Sequence, residues 1–192
     1  MKIYLMRHGQ TTGDIEDRYG GEYDDDLTAE GFKQAENLAQ ELKDQEIEIL
    51  FTSPKKRALQ TTECLKTVLS HVQVEVWDDL RERNRYGILS GMTKQEAREK
   101  YPELVKLAED ASNTIEGAES YDQLVMRGKA MMNIILDTTY ETVGVVTHGG
   151  IIRMILKEML TTDAKKVGDC GYAVLNYENY DLSIISLNRI IL

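Results

Sequence analysis

The sequence predicts an α/β fold, a three-layer α/β/α sandwich in which helices cover both faces of a mainly parallel central sheet. Two observations predict it: short apolar runs typical of buried strands recur along the chain, and helical patterns with recognisable N-caps separate them. The chain has 192 residues, of which 42% are hydrophobic. This length supports one core and is too short for two comfortable domains, so we expect a single domain over residues 1–192.

The first strand and the first long helix are recognised by their apolar patterns. Residues 2–6 form a short apolar run typical of a buried strand. Thr28 is a candidate N-cap, because a Thr side chain can accept a hydrogen bond from a free backbone N–H in the first helical turn. The residues that follow place five apolar side chains on one helical face: Phe32, Ala35, Leu38, Ala39 and Leu42.

A second strand, a helix and a third strand follow. Ile47, Ile49 and Phe51 fall on alternate positions, as the residues on one face of a strand do. Ser53 and Pro54 predict an N-cap followed by Pro at the first helical position. Four residues are expected to line that helix: Ala58, Thr62, Leu65 and Leu69. Residues 72–76 alternate Val with polar residues and predict the third strand.

The middle of the chain contains a short helix, a loop and a longer helix. Thr93 and Glu96 match a capping box, and Pro102 is expected to end the helix that they begin. Residues 110–120 hold many small and polar residues, which favours a loop within the domain. A second capping box at Ser120 predicts the longer helix. Five of its residues are expected to face inward: Leu124, Gly128, Met131, Met132 and Ile135.

The last part of the chain predicts one more strand–helix pair and a hairpin. Residues 143–147 read as a buried strand and residues 151–160 as a helix. Residues 172–177 and 182–187 read as two strands, and the turn signal at 179–181 indicates that they are joined tightly.

Charge and composition exclude several classes of protein. The 33 acidic and 23 basic residues give a net charge of −10, whereas binding nucleic acid or an anionic membrane requires a basic face. Two Cys, Cys64 and Cys170, are too few for a disulfide scaffold or a Cys-based zinc site. No apolar run approaches the length of a membrane span, and the N-terminus does not have the pattern of a signal peptide. We therefore expect a cytoplasmic protein.

Basic side chains and imidazoles follow three of the predicted strands. Arg7 and His8 come at the end of the first strand, Arg57 lies shortly after the second, and His148 follows residues 143–147. Because ligands of open α/β sheets bind beyond the carboxyl ends of the strands, we expect these four side chains at one edge of the sheet. Three glycines beside them would let a ligand approach the backbone closely: Gly9, Gly149 and Gly150.

In an acidic protein, such a local group of positive side chains indicates a phosphate site. Two guanidiniums can bind phosphoryl oxygens through paired hydrogen bonds. A neutral imidazole can attack phosphorus and divide one displacement into two through a phosphohistidine. A second imidazole can stabilise the transferring oxygens, and a carboxylic acid can protonate the leaving oxygen. The positive groups then take the role that a metal ion has in many phosphoryl transfers, so we expect no metal or cofactor.

Five segments resemble, in family order, the landmarks of the histidine phosphatase superfamily, also called the phosphoglycerate mutase-like family. They are LMRHGQTTGD, DRYGGEYDDDLTAEGFKQA, SPKKRALQTTE, LRERNRYGILSGMT and VTHGG. The resemblance extends over residues 2–152. It implies a phosphoglycerate mutase-like fold and a phosphatase that acts on a small phosphorylated substrate.

The resemblance also implies a role for each matching residue. His8 would be the phosphorylated nucleophile, Arg7, Arg57 and His148 would hold the phosphoryl group, and Glu82 would be the general acid. Gly20 and Gly21 match positions where family members let the substrate lie against the backbone, and we expect Asp14 and Gly149 to contact the substrate as well.

Two features depart from the family pattern. Asp14 stands where the family often has Asn, and a carboxylate there would repel phosphate oxygens unless it were protonated or turned away. The segment between Glu82 and Gly87 is one residue longer than usual, so Asp78 and Asp79 remain alternative proton donors.

Several other residues have two interpretations. Arg83 and Arg85 either contact the substrate or balance Glu82 in a surface network. Residues 24–26, three consecutive Asp, could suggest a metal site, but we expect a solvated loop because acids favour the start of a helix. His71 is expected to be an exposed loop residue.

Three functions are compatible with the motifs, and phosphomonoester hydrolysis is preferred. Phosphoglycerate mutases of the family tend to be longer, with a capping insertion and an Arg-Arg pair, and residues 94–120 are short and have no such pair. A non-catalytic phospholigand-binding module would not need Glu82. The sequence leaves the physiological substrate and the oligomeric state open.

Overall fold

The computed structural model describes residues 1–110 and 113–192. Within these ranges six strands form one sheet: β1 (Lys2–Arg7), β2 (Ile49–Thr52), β3 (Gln73–Val76), β4 (Thr142–Thr147), β5 (Lys166–Glu178) and β6 (Asp181–Ile191). Their order across the sheet is β3-β2-β4-β1-β5-β6. In this described sheet, β5 alone runs against the other five strands. The predicted α/β fold with a mainly parallel sheet is confirmed.

The described ranges contain seven α-helices: α1 (Thr12–Ile15), α2 (Ala29–Leu42), α3 (Lys56–Lys66), α4 (Lys94–Lys100), α5 (Pro102–Glu109), α6 (Tyr121–Leu136) and α7 (Gly149–Leu160). Side chains of β1 alternate between the two faces of the sheet. Ile3 and Leu5 pack with α6 and α7, whereas Tyr4 and Met6 pack with α2 and α3. None of the described helices is long and apolar enough to cross a membrane.

The start of α3 differs from the prediction. The N-cap residue is Lys55, it makes no side-chain capping hydrogen bond, and the helix begins at Lys56 rather than at Pro54. Ser53 lies two residues before this N-cap, and its fully buried hydroxyl accepts from the N–H of Lys55 over 3.3 Å and contacts His148. The predicted N-cap role of Ser53 is therefore wrong, because a tertiary contact uses its side chain.

Two further predictions about helices need correction. Phe32 is 38% exposed, because it lies at the edge of the α2 stripe that Ala35, Leu38, Ala39 and Leu42 bury. Pro102 does more than end α4, since it is also the first residue of α5. A Pro is tolerated there because the first helical N–H needs no partner within the helix. The capping boxes at Thr93 and Ser120 are confirmed.

The outer strands differ from the prediction mainly in length and exposure. All four residues of β3 are exposed, because this short strand is an edge of the sheet. β5 and β6 are longer than predicted, and Asn179 and Tyr180 turn between them with φ values of 52° and 64°. In the predicted loop at 110–120, residues 113–120 contain no helix or strand. Residues 111–112 of that loop lie outside the described residues.

Candidate active site

Three neighbouring parallel strands end at the same edge of the sheet. β4 lies between β2 and β1, and the backbone pairing continues one residue past the strand ends. The N–H of His8 donates to the carbonyl of Thr147 over 3.2 Å, and the N–H of Ser53 donates to the carbonyl of Val146 over 3.0 Å. These bonds place the three segments that follow β1, β4 and β2, which carry His8, His148 and Arg57, beside one another.

The two histidines meet at this edge around one arginine. The ring centroids of His8 and His148 are 5.0 Å apart at an interplanar angle of 62°. Nε of Arg57 donates to Nε2 of His8 over 3.2 Å and to Nδ1 of His148 over 3.3 Å. His8 is 5% exposed and His148 is fully buried. Arg57 therefore joins both imidazoles in a desolvated cluster.

The hydrogen bonds define the tautomer of each imidazole. Because a guanidinium N–H can only donate, both ring nitrogens that face Arg57 must carry lone pairs. The other nitrogen of each ring then donates: Nδ1 of His8 to the carbonyl of Gly9 over 2.8 Å, and Nε2 of His148 to Oγ of Ser53 over 2.7 Å. Burial, and then the charge of Arg57, lowers the pKa of both histidines well below 6.5. Both imidazoles are consequently neutral at neutral pH.

A buried carboxylate holds Arg57. Nη1 of Arg57 donates to Oδ1 of Asp25 over 2.8 Å and to the carbonyl of Tyr23 over 2.7 Å. Oδ2 of Asp25 also accepts from the N–H of Gly13 over 3.1 Å. The side chain of Asp25 is only 7% exposed. The prediction that residues 24–26 form a solvated loop is therefore wrong for Asp25, although Asp24 and Asp26 are exposed.

Arg7 is held from the opposite side of the site. Its Nη1 is 2.9 Å from Oδ1 of Asp169 and donates to the carbonyl of Val167 over 2.8 Å. Oδ2 of Asp14 is farther away, at 3.9 Å from Nη2, and accepts from the N–H of Thr11 in a capping box. Burial raises the pKa of Asp169, although Arg7 opposes that shift. Asp169 was not among the predicted site residues.

Two backbone N–H groups hold the carboxylate of Glu82. Its Oε1 accepts from the N–H of Arg83 over 2.8 Å, and its Oε2 accepts from the N–H of Gly150 at the start of α7 over 3.0 Å. The alternative acids, Asp78 and Asp79, have side chains that are 77% and 54% exposed and lie near Arg81. Glu82 is thus the carboxylate of this segment that borders the site.

A cavity of about 320 Å³ lies between these groups. Eight of the nine predicted site residues line it: Arg7, His8, Asp14, Gly20, Gly21, Arg57, Glu82 and Gly149. His148 is the ninth; it is fully buried and contacts Arg57. Gly21 has a φ of +76°, a conformation that favours glycine. Four residues beside these groups were not predicted as site residues from the sequence: Ser53, Asp25, Arg153 and Asp169.

No metal site accompanies this cavity in the part of the chain that the structure describes, where no three His, Cys, Asp or Glu side chains are grouped closely enough to hold a metal ion. Asp24 and Asp26 instead accept hydrogen bonds from the N–H of Lys56 and the side chain of Gln60. The arrangement can bind an anion through two guanidiniums and present an unprotonated imidazole nitrogen to it.

Several known proteins that resemble this chain are phosphatases, in agreement with an anion-binding site. The family model of the histidine phosphatase superfamily, branch 1, matches residues 3–190. The metal-independent phosphoserine phosphatase of Arabidopsis thaliana is 36% identical over 181 residues, which cover 91% of this chain and 74% of that protein. Phosphoserine phosphatase 1 of Hydrogenobacter thermophilus is 30% identical over 196 residues, covering 98% and 92%.

A solved structure supports the fold independently. The alpha-ribazole phosphatase from Shigella flexneri superposes with a TM-score of 0.88 over 100% of this chain and 98% of that one, at 20% sequence identity. Family model, sequence relatives and fold therefore agree, and the chain belongs to branch 1 of the histidine phosphatase superfamily.

Proposed function

We propose that this histidine phosphatase hydrolyses phosphomonoesters without a metal ion, through a phosphohistidine formed on Nε2 of His8. The observation that supports the proposal is the hydrogen bond from Nε of Arg57 to Nε2 of His8. That bond requires a lone pair on Nε2, and burial keeps the ring neutral. A nucleophilic nitrogen therefore lies beside the guanidinium that would bind the phosphoryl oxygens.

In the first step Arg7 and Arg57 bind the phosphoryl group, and His148, which contacts Arg57, stabilises its charge. The lone pair of Nε2 of His8 gives up its hydrogen bond from Arg57 and forms a bond to phosphorus. The bond from phosphorus to the leaving oxygen breaks, and that oxygen takes the electron pair. Glu82, in its protonated form, gives the leaving oxygen its proton. Gly20, Gly21, Asp14 and Gly149 border the space that the substrate would occupy.

In the second step the roles reverse. The carboxylate of Glu82 removes a proton from a water molecule as the water oxygen attacks phosphorus. The bond from Nε2 of His8 to phosphorus breaks, the nitrogen regains its lone pair, and inorganic phosphate leaves. The positive charge that this transfer needs comes from Arg7 and Arg57.

The substrate class follows from the cavity and from the relatives. A small phosphorylated molecule fits a cavity of about 320 Å³, and phosphoserine, which the names of two relatives give as their substrate, belongs to that class. The cytoplasmic location and the single domain over residues 1–192 stay predictions.

Hydrolysis of an aryl phosphate in excess EDTA tests the proposal. We expect turnover by the wild-type chain, its loss in His8→Ala, and retention in the matched variant His71→Ala, since His71 is exposed and remote from the site. The trapped phosphoenzyme should be labile in acid and stable in alkali. Turnover that persists in His8→Ala would contradict the proposal, and preferential phosphoryl transfer to a substrate hydroxyl would favour the mutase alternative.

A further inference from the structure

A second cavity of about 340 Å³ adjoins the catalytic cavity. The two cavities share five lining residues: Gly20, Gly21, Glu82, Gly150 and Arg153. Because the proposed proton donor Glu82 borders both, the leaving group of a bound phosphomonoester would extend from the first cavity into the second. The second cavity therefore surrounds the part of the substrate that distinguishes one phosphomonoester from another.

The second cavity is rich in positive charge although the whole chain has a net charge of −10. Four of its lining residues are cationic and two are acidic, namely Arg83, Arg85, Arg153 and Lys157 against Glu82 and Asp163. Arg153 and Lys157 are exposed and lie one turn apart on α7. Within residues 1–110 and 113–192, neither of them forms an ion pair with a carboxylate. Their charges remain available to a ligand.

Arg83 and Arg85 add to this positive potential from fixed positions. Nε of Arg83 donates to the carbonyl of Glu119 over 3.1 Å, and Nη2 of Arg85 donates to the carbonyl of Ala108 over 2.8 Å. Burial lowers the pKa of Arg83, and the neighbouring charge of Arg85 lowers it further. Two cations are thus packed close together beside the cavity, and an anion nearby would relieve their repulsion.

An aromatic wall positions one of the exposed cations. Cζ of Arg83 and Nζ of Lys157 both lie over the ring of Tyr121, at 5.6 and 5.5 Å from its centroid. These cation–π contacts keep the ammonium group of Lys157 at the cavity. Tyr86, Leu124 and Met154 complete a wall that can contact an apolar spacer.

The cations follow the catalytic group at a regular spacing along α7. Gly150 binds Glu82 at the start of the helix, Arg153 comes three residues later, and Lys157 comes four residues after that. At a rise of about 1.5 Å per residue, Lys157 lies about 10 Å along the helix from Gly150. A group bound by Arg153 and Lys157 would therefore be separated from the phosphoryl group by a spacer of several atoms.

We infer that this enzyme selects phosphomonoesters that carry a second anionic group, a carboxylate or a second phosphate, which Arg153 and Lys157 bind in the second cavity. The inference rests on the proposed function of the site at His8. Arg153 and Lys157 act as specificity-determining residues, because they contact the leaving group and not the phosphorus atom.

Binding of nonhydrolysable phosphonates tests the inference separately from catalysis. We would measure the Kd of 4-carboxyphenylphosphonate, of its neutral analogue 4-carbamoylphenylphosphonate, and of benzene-1,4-diphosphonate by calorimetry. The wild-type chain should bind the carboxylate about fivefold more tightly than the carboxamide, as one ion pair of up to about 1 kcal/mol provides. Tighter binding of the diphosphonate than of the carboxylate would indicate that the second cavity prefers a phosphate, and weaker binding that it prefers a carboxylate.

Three variants locate the preference. The preference is measured as the Kd of the carboxamide divided by the Kd of the carboxylate. Lys157→Gln and Arg153→Gln should each lower this ratio, and Lys157→Arg should retain it. Lys33→Gln on α2 is the matched control, since it removes one exposed positive charge from a residue that lines neither cavity among the described residues. Equal Kd values for carboxylate and carboxamide in the wild-type chain, or a ratio unchanged in Lys157→Gln, would overturn the inference. Because binding needs no turnover, failure of the aryl phosphate assay alone would instead count against the proposed function.

Discussion

Nε of Arg57 donates one N–H to two acceptors, Nε2 of His8 at 3.2 Å and Nδ1 of His148 at 3.3 Å. One side chain therefore sets both the position and the protonation of the two imidazoles. Arg57 is itself held by Asp25. The geometry of the proposed nucleophile therefore depends on a carboxylate that acts through Arg57, since no contact between Asp25 and His8 is observed in the described residues.

Replacing Asp25 should weaken both stability and catalysis. Asp25→Asn removes the charge that compensates buried Arg57, and it should lower the free energy of unfolding by about 2–3 kcal/mol. This is less than the cost of removing a buried ion-pair partner completely, because Asn keeps an acceptor oxygen. We expect kcat/KM for an aryl phosphate to fall as well, since Arg57 is no longer fixed. Urea unfolding and steady-state kinetics measure the two effects. Asp26→Asn, at an exposed neighbour, should change neither quantity appreciably, and equal effects in both variants would contradict the argument.

Acid should destabilise the protein through its buried histidines. The pKa values of His8 and His148 lie well below 6.5 in the folded state, so below about pH 6.5 the unfolded chain binds protons that the folded chain does not. The stabilising contribution is complete above that pH and is lost as the pH falls, by up to about 1.4 kcal/mol per pH unit for each histidine.

Urea unfolding between about pH 7.5 and 5.5 measures this slope. His148→Asn should reduce the slope, whereas His71→Asn should leave it as in the wild type, because His71 is exposed in the folded state too. A slope that is the same in all three proteins would show that these imidazoles do not remain neutral on folding.

A methyl group at Gly150 should displace the proposed proton donor. A Cβ at this position would lie 2.2 Å from Oε1 of Glu82, which must then move. Because the atom displaced is the end of a flexible side chain, we expect little change in Tm. A general acid contributes about 10²–10⁴-fold in rate. Because Glu82 is displaced and not removed, we expect kcat/KM to fall by about 10- to 100-fold.

Gly20→Ala is the comparison variant, since its Cβ would meet nothing within 4 Å although Gly20 lines the same cavity. It should lower kcat/KM much less than Gly150→Ala. If the two variants were equally active, the position of Glu82 would not limit the reaction.

The effect of removing the acid should depend on the leaving group. Glu82→Gln cannot give a proton to an alkoxide, so kcat/KM for an alkyl phosphate should fall by about 10²–10⁴-fold. A dinitrophenolate leaves without a proton, so kcat/KM of the same variant for dinitrophenyl phosphate, which reports the phosphorylation step, should fall far less. Asp79→Asn tests the alternative acid and should show no such dependence. A loss in Glu82→Gln that is uniform across leaving groups would assign Glu82 a structural role.

Local patterns were sufficient to predict the parts of the site that lie at strand ends. His8 and His148 follow buried apolar runs, and in a parallel sheet the carboxyl ends of neighbouring strands lie at one edge. The capping boxes at Thr93 and Ser120 were equally predictable, because both partners lie within four residues. The roles of the site residues stay predictions, whereas their proximity is now a structural observation.

Contacts between distant segments could not be predicted in this way. Asp25 pairs with Arg57 across 32 positions of sequence, and nothing in three consecutive Asp residues distinguishes the buried one from its exposed neighbours. Ser53 has the composition of an N-cap, but His148, 95 positions away, takes its hydroxyl. Asp169 lies within the long strand β5, where an acidic residue has no local signature of a contact with Arg7.

The two edge strands of the sheet, β3 and β6, differ in how readily another strand could pair with them. β3 is four residues long and includes Glu75, so it presents few unpaired backbone groups beside a charge. β6 has eleven residues and leaves Ile185 and Ile191 more than half exposed. Long apolar borders template the addition of further strands, whereas short charged ones resist it. Self-association of this protein at high concentration would therefore begin at its C-terminal border, where a lysine in place of Ile185 should improve solubility.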